Sequence, residues 1–179
     1  MTPPDVRPAV IADLDALLAL YAEIRPEKPP VPRSPELDGT WRAMLADPSI
    51  RIAVVEHDGV PRATAMLAII PSIAKGPVPF GVIEHVVTAA AARGQGLAER
   101  LMRRLIDEAW RAGCYKVMLL SGAQRDGAHR LYDKLGFDGD AERGFVLKRP
   151  LRATADSASI ARLDARAPGA IDPNKPKEQ

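Results

Sequence analysis

The stretch VVTAAAARGQGLA, residues 86–98, decides the fold because it joins a β-rich run to the start of a helical pattern. Gly94 and Gly96 flank a single residue just before that helix, and glycine leaves the backbone bare and tolerates positive φ. The first N–H groups of a helix have no internal acceptors and carry a partial positive charge. The stretch therefore predicts an anion-binding turn between a strand and a helix, suited to a phosphate or a diphosphate.

Composition favours a water-soluble protein with one main domain. The chain has 179 residues, of which 46% are hydrophobic and 27% are charged, enough to bury a sizeable core. Its net charge of +2, with basic residues scattered among acidic ones, argues against nucleic acid as a partner. Cys114 is the only cysteine and the three histidines lack ligand spacing, so neither an intrachain disulfide nor a metal is expected. No signal peptide or membrane-spanning run is recognised, which predicts a cytoplasmic protein.

Hydrophobic periodicity predicts a mixed α/β domain over residues 1–150. Strands are expected at Asp5–Val10, Ile50–Glu56, Val60–Ile70, Val82–Thr88, Cys114–Ser121 and Gly144–Lys148. Helices are expected at Glu36–Ala46, from Ala128 to Leu135, and beginning near Ile11 and at Leu97. Asp58-Gly59 lies between two of the strands and predicts a hairpin. Residues 151–179 are polar and contain proline, and we expect them to form a weakly helical to disordered extension.

Three side chains have predicted structural roles. Asp13 is placed to cap the first helix, and Trp41 and Trp110 are expected in the core. The proline-rich stretches 25–35 and 71–81 are predicted loops, because proline breaks both helices and central strands.

Two familiar nucleotide-binding loops do not match the glycine turn. A dinucleotide fingerprint needs a third glycine where this chain has Glu99. A Walker loop needs Lys followed by Ser or Thr, and Leu97-Ala98 stands there instead. The anion must therefore belong to another class of ligand.

The turn carries the pattern R-x-x-G-x-A over Arg93–Ala98, which resembles the diphosphate-binding signature of the GCN5-related N-acetyltransferase (GNAT) superfamily. Two further blocks, GCYKVMLLSG (113–122) and AHRLYDKLGF (128–137), are similar to that superfamily in order and spacing. Within it, the region looks most like glucosamine-6-phosphate N-acetyltransferases and small bacterial members of unassigned substrate. The resemblance implies a mixed, mostly antiparallel twisted sheet flanked by helices, whose splayed middle strands hold acetyl-CoA. It also implies an acetyl-CoA-dependent N-acetyltransferase without a metal, and it makes a homodimer plausible.

Two residues are candidates for catalysis. Glu84 interrupts an otherwise apolar strand, and the resemblance places the superfamily's frequent catalytic carboxylate there, to deprotonate the amine directly or through water. Tyr132 matches the tyrosine that, in many members, hydrogen-bonds the departing sulfur. The structural alternatives are a solvated carboxylate on a strand and a boundary aromatic without a chemical role.

The cofactor-binding candidates form two sets. Main-chain groups of Val86, Val87 and Thr88 are expected to bind the pantetheine arm, and one of these N–H groups could polarise the thioester carbonyl. The diphosphate is expected at the turn and the helix start, which comprise Arg93, Gly94, Gln95, Gly96, Leu97 and Ala98.

The acceptor is left open by the sequence. His85, Ser121 and Arg125 are candidates for substrate binding, although each could equally be a surface residue. His85 stands where the similar sugar-phosphate enzymes have aspartate, and the two proline-rich loops are expected to build the acceptor pocket. Amino sugars, amino acids, polyamines, aminoglycosides and peptide amines all remain candidate acceptors. A non-catalytic acetyl-CoA-binding or sensing module and transfer of a longer acyl group are the alternative functions.

Overall fold

The computed structural model describes residues 6–57 and 59–149. Within them the strands are β1 (Val6–Pro8), β2 (Ile50–His57), β3 (Val60–Ile70), β4 (Phe80–Thr88) and β5 (Val117–Leu119). The helices are α1 (Leu14–Ile24), α2 (Pro35–Ala46), α3 (Leu97–Arg111) and α4 (Asp126–Lys134). Two short 3-10 turns cover Ile11–Asp13 and Ala90–Ala92. No helix in this part of the chain is both long enough and apolar enough to cross a membrane.

The strands form one sheet in the order β1-β2-β3-β4-β5. Neighbouring strands are antiparallel except β4 and β5, which are parallel. Alternate residues of β2 join different hydrophobic clusters: Ala53 and Val55 pack with Leu101 of α3, whereas Val54 packs with Trp41 of α2. Because successive side chains of a strand point to opposite faces, helices cover both faces of the sheet. The predicted mixed, mostly antiparallel sheet flanked by helices is confirmed.

The β2–β3 hairpin is also confirmed. His57 pairs with Val60, and Gly59 adopts a φ of 74°, which is the left-handed conformation that a two-residue turn requires. Asp58 and residues 150–179, including the predicted C-terminal extension, lie outside the described residues. By its internal contacts, the chain divides into one unit of residues 1–143 and a second that begins at Gly144.

Three expectations about local structure are wrong. Residues 144–149 are irregular, so Gly144–Lys148 is not a strand; β propensity alone forms no strand without ladder hydrogen bonds. The expected strand at Cys114–Ser121 shortens to Val117–Leu119 for the same reason. Trp110 is 50% exposed, although Trp41 is buried as expected. The α3 residues that face the sheet follow the Leu97–Leu101–Leu105–Ala109 row, and Trp110 lies on the margin of that row.

Asp13 stands at the expected helix start but does not cap α1 with its side chain. Its carboxylate accepts hydrogen bonds from Arg7 Nη1 at 2.7 Å, Arg7 Nη2 at 2.9 Å and the Val10 N–H at 2.7 Å. Arg7 also donates to Glu56 at 2.9 Å. The Asp13 side chain is only 6% exposed, and the hydrogen bonds from Arg7 lower its pKa. The Arg7–Asp13 ion pair joins β1 to the start of α1.

Asp13→Asn should therefore lower the free energy of unfolding by about 2 kcal/mol, because it leaves the Arg7 charge partly uncompensated. The Asp13 carboxylate has a lowered pKa in the folded state, so its contribution is present above the unfolded pKa. It is lost as the pH falls through the folded pKa. The difference in unfolding free energy between the native chain and the variant should thus shrink as the pH falls below the unfolded pKa, which urea unfolding at pH 7 and pH 3 measures. Asp15→Asn is the matched control, since that side chain is 73% exposed; an equal loss there would contradict the prediction.

Candidate active site

A gap opens in the sheet between β4 and the chain that follows β5. The two strands pair only from Gly81 opposite Val117 to Ile83 opposite Leu119. Among the described residues, Glu84–Thr88 continues β4 without a pairing strand on that side, whereas β3 accompanies β4 as far as Thr88. The expected splayed pair is thus β4 and β5, although β5 is an edge strand of the described sheet rather than a middle one. The gap exposes main-chain groups at the edge of Val86, Val87 and Thr88.

A β-bulge lies where the gap begins. Met66 pairs with Glu84 and Thr64 pairs with Val87, so His85 and Val86 together face one residue of β3. His85 has a φ of 56°, the only positive φ of a described non-glycine residue. Its ring lies 5.5 Å from the ring of Tyr21 on α1, between centroids. The bulge therefore places His85 against a helix that sequence analysis had not linked to the site.

An electrostatic interaction links Glu84 and Tyr132, the two candidate catalytic residues. Glu84 is half-buried on β4, and Tyr132 of α4 is 9% exposed and packs edge-on against Phe137 at 6.0 Å. Burial raises the pKa of the Tyr132 phenol, the Arg125 charge partly offsets this, and the Glu84 carboxylate raises the pKa further. Because the Glu84 charge acts on the phenol, the two side chains share one electrostatic environment. Tyr132 is consequently a protonated hydrogen-bond donor at neutral pH.

The glycine turn has the conformation that the sequence predicts. Gly94 and Gly96 adopt φ values of 78° and 75°, and α3 begins directly after them at Leu97. The N–H groups from Gly94 to Glu99 have no acceptor among the described residues, and no side chain caps the helix. Except for Gln95, the residues that carry these amides line a cavity of about 280 Å³. The cavity is lined by Thr88, Ala92, Arg93, Gly94, Gly96, Leu97, Ala98, Glu99 and Leu131.

The space beside the two glycines is open. A Cβ added at Gly94 or Gly96 would meet no heavy atom within 4 Å, so no packing in the described chain requires glycine there. The backbone conformation does require it, because both φ values are left-handed. Gln95, between them, is exposed and does not line the cavity, unlike the other five residues expected to hold the diphosphate.

Two buried hydroxyl groups stand on either side of the gap without a partner. Thr88 Oγ1 and Ser121 Oγ are the buried side-chain polar atoms that make no hydrogen bond in the described part of the chain. A buried hydroxyl without a partner costs free energy, and such groups usually have one. Thr88 ends β4 and lines the cavity, and Ser121 follows β5. Both hydroxyls therefore keep unused hydrogen-bonding capacity in the described part of the chain.

The charges around the cavity are arranged for an anion. Arg93 donates from Nε to the Thr88 carbonyl at 3.3 Å, and its Nη2 lies 3.7 Å from Glu23 of α1. Glu99 at the cavity rim is paired with Arg103 at 2.9 Å and with Lys134 at 2.7 Å, and these hydrogen bonds, that from Lys134 foremost, lower its pKa. Two carboxylates, Glu23 and Glu99, thus stand among three cations. The rim keeps an excess of positive charge.

Glu23 is a contributor that sequence analysis missed. Its Oε2 accepts the N–H of Ala90 at 2.7 Å and so holds the turn that precedes the glycines. The two residues are 67 positions apart, and no local pattern indicates the contact. The contact also places the start of the 25–34 loop just past the end of β4, whereas the 71–79 loop leads into the start of β4. The two proline-rich loops therefore begin at opposite ends of that strand.

The remaining candidates lie at the start of α4 and in the core. Arg125 is exposed, and its side chain passes over Gly122, where an added Cβ would lie 3.6 Å from two of its carbons. His129 Nε2 lies 3.0 Å from the Gly122 carbonyl oxygen, which fixes the same loop.

Cys114 is buried, and burial raises the pKa of its thiol. The thiolate, which is the form in which a cysteine could accept an acyl group, is therefore disfavoured. Within the described residues, no three His, Cys, Asp or Glu side chains group as metal ligands would.

Comparison with known proteins identifies the family. The sequence model of the acetyltransferase (GNAT) family matches residues 14–137. A probable glucosamine 6-phosphate N-acetyltransferase of Oryza sativa is 42% identical over 81 residues, which are 43% of this chain and 48% of that protein. The chain thus spans about half the length of this curated relative. A glucosamine 6-phosphate N-acetyltransferase of Trypanosoma brucei is 34% identical over 110 residues, 58% of this chain and 73% of that protein.

A solved structure of an acetyltransferase has a similar fold. The putative acetyltransferase of Agrobacterium tumefaciens superposes with a TM-score of 0.75 at 37% identity, covering 81% of this chain and 99% of the other. The family match includes α1, the β4–α3 turn and α4, which are the elements that form the candidate site. The chain therefore belongs to the GNAT family of acetyltransferases.

Proposed function

We propose that the protein transfers the acetyl group of acetyl-CoA to a primary amine by direct attack within a ternary complex. One observation carries the proposal: the unpartnered amides at the start of α3 surround a cavity that shares Thr88 with the gap beside Glu84. A diphosphate suits those amides, and an extended amide-bearing arm suits the strand edge in the gap. Both parts occur in one ligand, coenzyme A.

The residues that would hold coenzyme A follow from this placement. Amides of Gly94, Gly96 and Leu97, together with the Arg93 guanidinium, suit the diphosphate charge. Main-chain groups of Val86–Thr88 suit the amides of the pantetheine arm. The unpartnered hydroxyls of Thr88 and Ser121 have the free hydrogen-bonding capacity that such an arm would satisfy.

Glu84 and Tyr132 provide a base for the amine and an acid for the departing sulfur. The acetyl thioester supplies the acyl group, whose carbonyl carbon gains a bond to the amine nitrogen and loses its bond to sulfur. Glu84 takes the first proton of the ammonium, directly or through a water, and later returns it to solvent. Tyr132 gives its phenolic proton to the departing thiolate, and its raised pKa keeps that proton available at neutral pH. The nitrogen of the adduct loses its second proton as the C–S bond breaks, and this proton restores the Tyr132 phenol. The products are an N-acetyl amide, a free thiol and one proton, so atoms and charge balance.

Tyr132→Phe should lower kcat by about 10- to 100-fold, because the ring stays and only the proton donor is lost. The KM for acetyl-CoA should change by less than about threefold, since the phenylalanine ring still packs on Phe137. Steady-state kinetics with varied acetyl-CoA separate the two constants. An unchanged kcat would remove Tyr132 from the mechanism.

The names of similar proteins suggest which acceptor amine to test first. Two similar proteins are named for glucosamine 6-phosphate, so this amine is the first acceptor to test. His85 stands beside Glu84 where the sugar-phosphate enzymes have aspartate, so a panel of amino acids, polyamines, aminoglycosides and peptides belongs in the same assay. The acceptor reaches Glu84 from the gap side of β4.

Two measurements test the function together. Calorimetry should detect binding of acetyl-CoA, and thiol release should rise above the hydrolysis background when a suitable amine is added. Binding without amine-dependent thiol release would identify an acetyl-CoA-binding or sensing module instead. A faster reaction with a longer acyl-CoA would correct the acyl group, and no heat with coenzyme A at millimolar concentration would refute the proposal.

A further inference from the structure

His85 occupies a backbone conformation that its residue type disfavours. Its φ of 56° lies in the left-handed region, at the first position of the bulge that faces β3. That position of such a bulge is ordinarily glycine, because a Cβ crowds the backbone there. Histidine adopts this conformation more readily than most residues, yet glycine would adopt it without strain. The backbone of the bulge therefore does not explain the side chain.

The surroundings of the side chain do not explain it either. His85 is exposed, and its imidazole makes no hydrogen bond to any residue that the structure describes. Its one ring contact is with Tyr21, tilted by 54° at a centroid distance of 5.5 Å. Tyr21 is itself anchored in the core around Val55, so it offers His85 a fixed surface. A strained, exposed side chain without a hydrogen bond gains little for stability.

The position of His85 gives it access to the acceptor. It directly follows Glu84 and stands at the point where β4 loses its β5 partner. Its ring contacts the Tyr21 ring of α1, and the half-buried Glu84 is its immediate neighbour along β4. A neutral imidazole has one donor and one acceptor nitrogen and can bind a polar group of either kind.

We propose that His85 is a substrate-contacting residue, whose imidazole hydrogen-bonds a polar group next to the amine of the acceptor while the Tyr21 ring supports it. This inference rests on the proposed acetyltransferase function, since it places the acceptor beside Glu84. It assigns to His85 a part in acceptor selection and none in binding acetyl-CoA. The strain at His85 is then retained for binding, as strained residues at functional sites often are.

His85→Gly and His85→Asn test the inference, because both residues accept a left-handed backbone and neither carries an imidazole. The unfolding midpoint of His85→Gly should equal or exceed that of the native chain. Calorimetric affinity for acetyl-CoA should stay within about twofold, whereas kcat/KM for the best amine of the panel should fall about tenfold or more in both variants. His57→Asn, at the far end of β2, is the matched histidine control and should leave the affinity for acetyl-CoA and kcat/KM unchanged.

The outcomes separate this inference from the proposed function. If the native chain releases no thiol with any amine, the proposed acetyltransferase function is wrong, and the result does not depend on His85. If the native chain is active and both variants keep its kcat/KM, the inference is wrong and the bulge alone matters. A clear loss of stability in both variants would also overturn it, because His85 would then serve the fold through Tyr21.

Discussion

Gly96→Val should abolish measurable binding of acetyl-CoA, with an expected loss of at least about 100-fold in affinity. Gly96 has a φ of 75°, where a β-branched residue is strained, and it immediately precedes the first residue of α3. Its added side chain meets no protein atom at the Cβ and would project beside the cavity instead. Both effects move or cover the amides that suit the diphosphate. Calorimetry with acetyl-CoA measures the loss.

Backbone strain by itself must be separated from loss of the site. Gly76→Val is the matched control, because Gly76 has a φ of 87°, has no atom near an added Cβ and lies in the 71–79 loop away from the cavity. We expect both variants to lose about 1–2 kcal/mol of stability and only Gly96→Val to lose binding. Undiminished heat with Gly96→Val would contradict the assignment of the diphosphate to this turn.

Glu84→Gln should lower kcat by about 100- to 1000-fold at neutral pH. The amide has the same shape but cannot take a proton from the amine, so the acceptor stays an ammonium without a lone pair. The affinity for acetyl-CoA should not change, because Glu84 is not among the residues that line the cavity. Glu108→Gln, which only breaks a surface pair with Arg104, should keep the native kcat.

The pH dependence makes the Glu84 prediction sharper. As the pH rises through the pKa of the acceptor amine, solvent supplies the free base and the enzyme's base becomes less necessary. The ratio of native to Glu84→Gln kcat should therefore shrink with increasing pH. A kcat equal to that of the native chain at every pH would exclude Glu84 as the base.

The local chemistry of the glycine turn is what made the fold predictable. Positive φ at Gly94 and Gly96, the start of α3 and the β2–β3 hairpin each depend on a few consecutive residues. The strand predicted at Gly144–Lys148 is wrong because β propensity alone does not form a strand. A strand also needs a neighbouring strand with which to form hydrogen bonds. The bulge at His85 was missed because it depends on the register between β3 and β4.

The sequence by itself determined the family, the strand–turn–helix unit and the identity of Glu84 and Tyr132 as candidates, because these are written in short patterns of residue type and spacing. Only the tertiary structure decided that the Glu84 charge acts on Tyr132, that Glu23 holds Ala90 and that Arg7 engages Glu56 from 49 positions away. It also decided where β4 and β5 part, and that the Thr88 and Ser121 hydroxyls find no hydrogen-bond partner among the described residues. The physical reason is that periodicity and turn chemistry act over a few residues. Contacts between distant residues depend on the whole path of the chain.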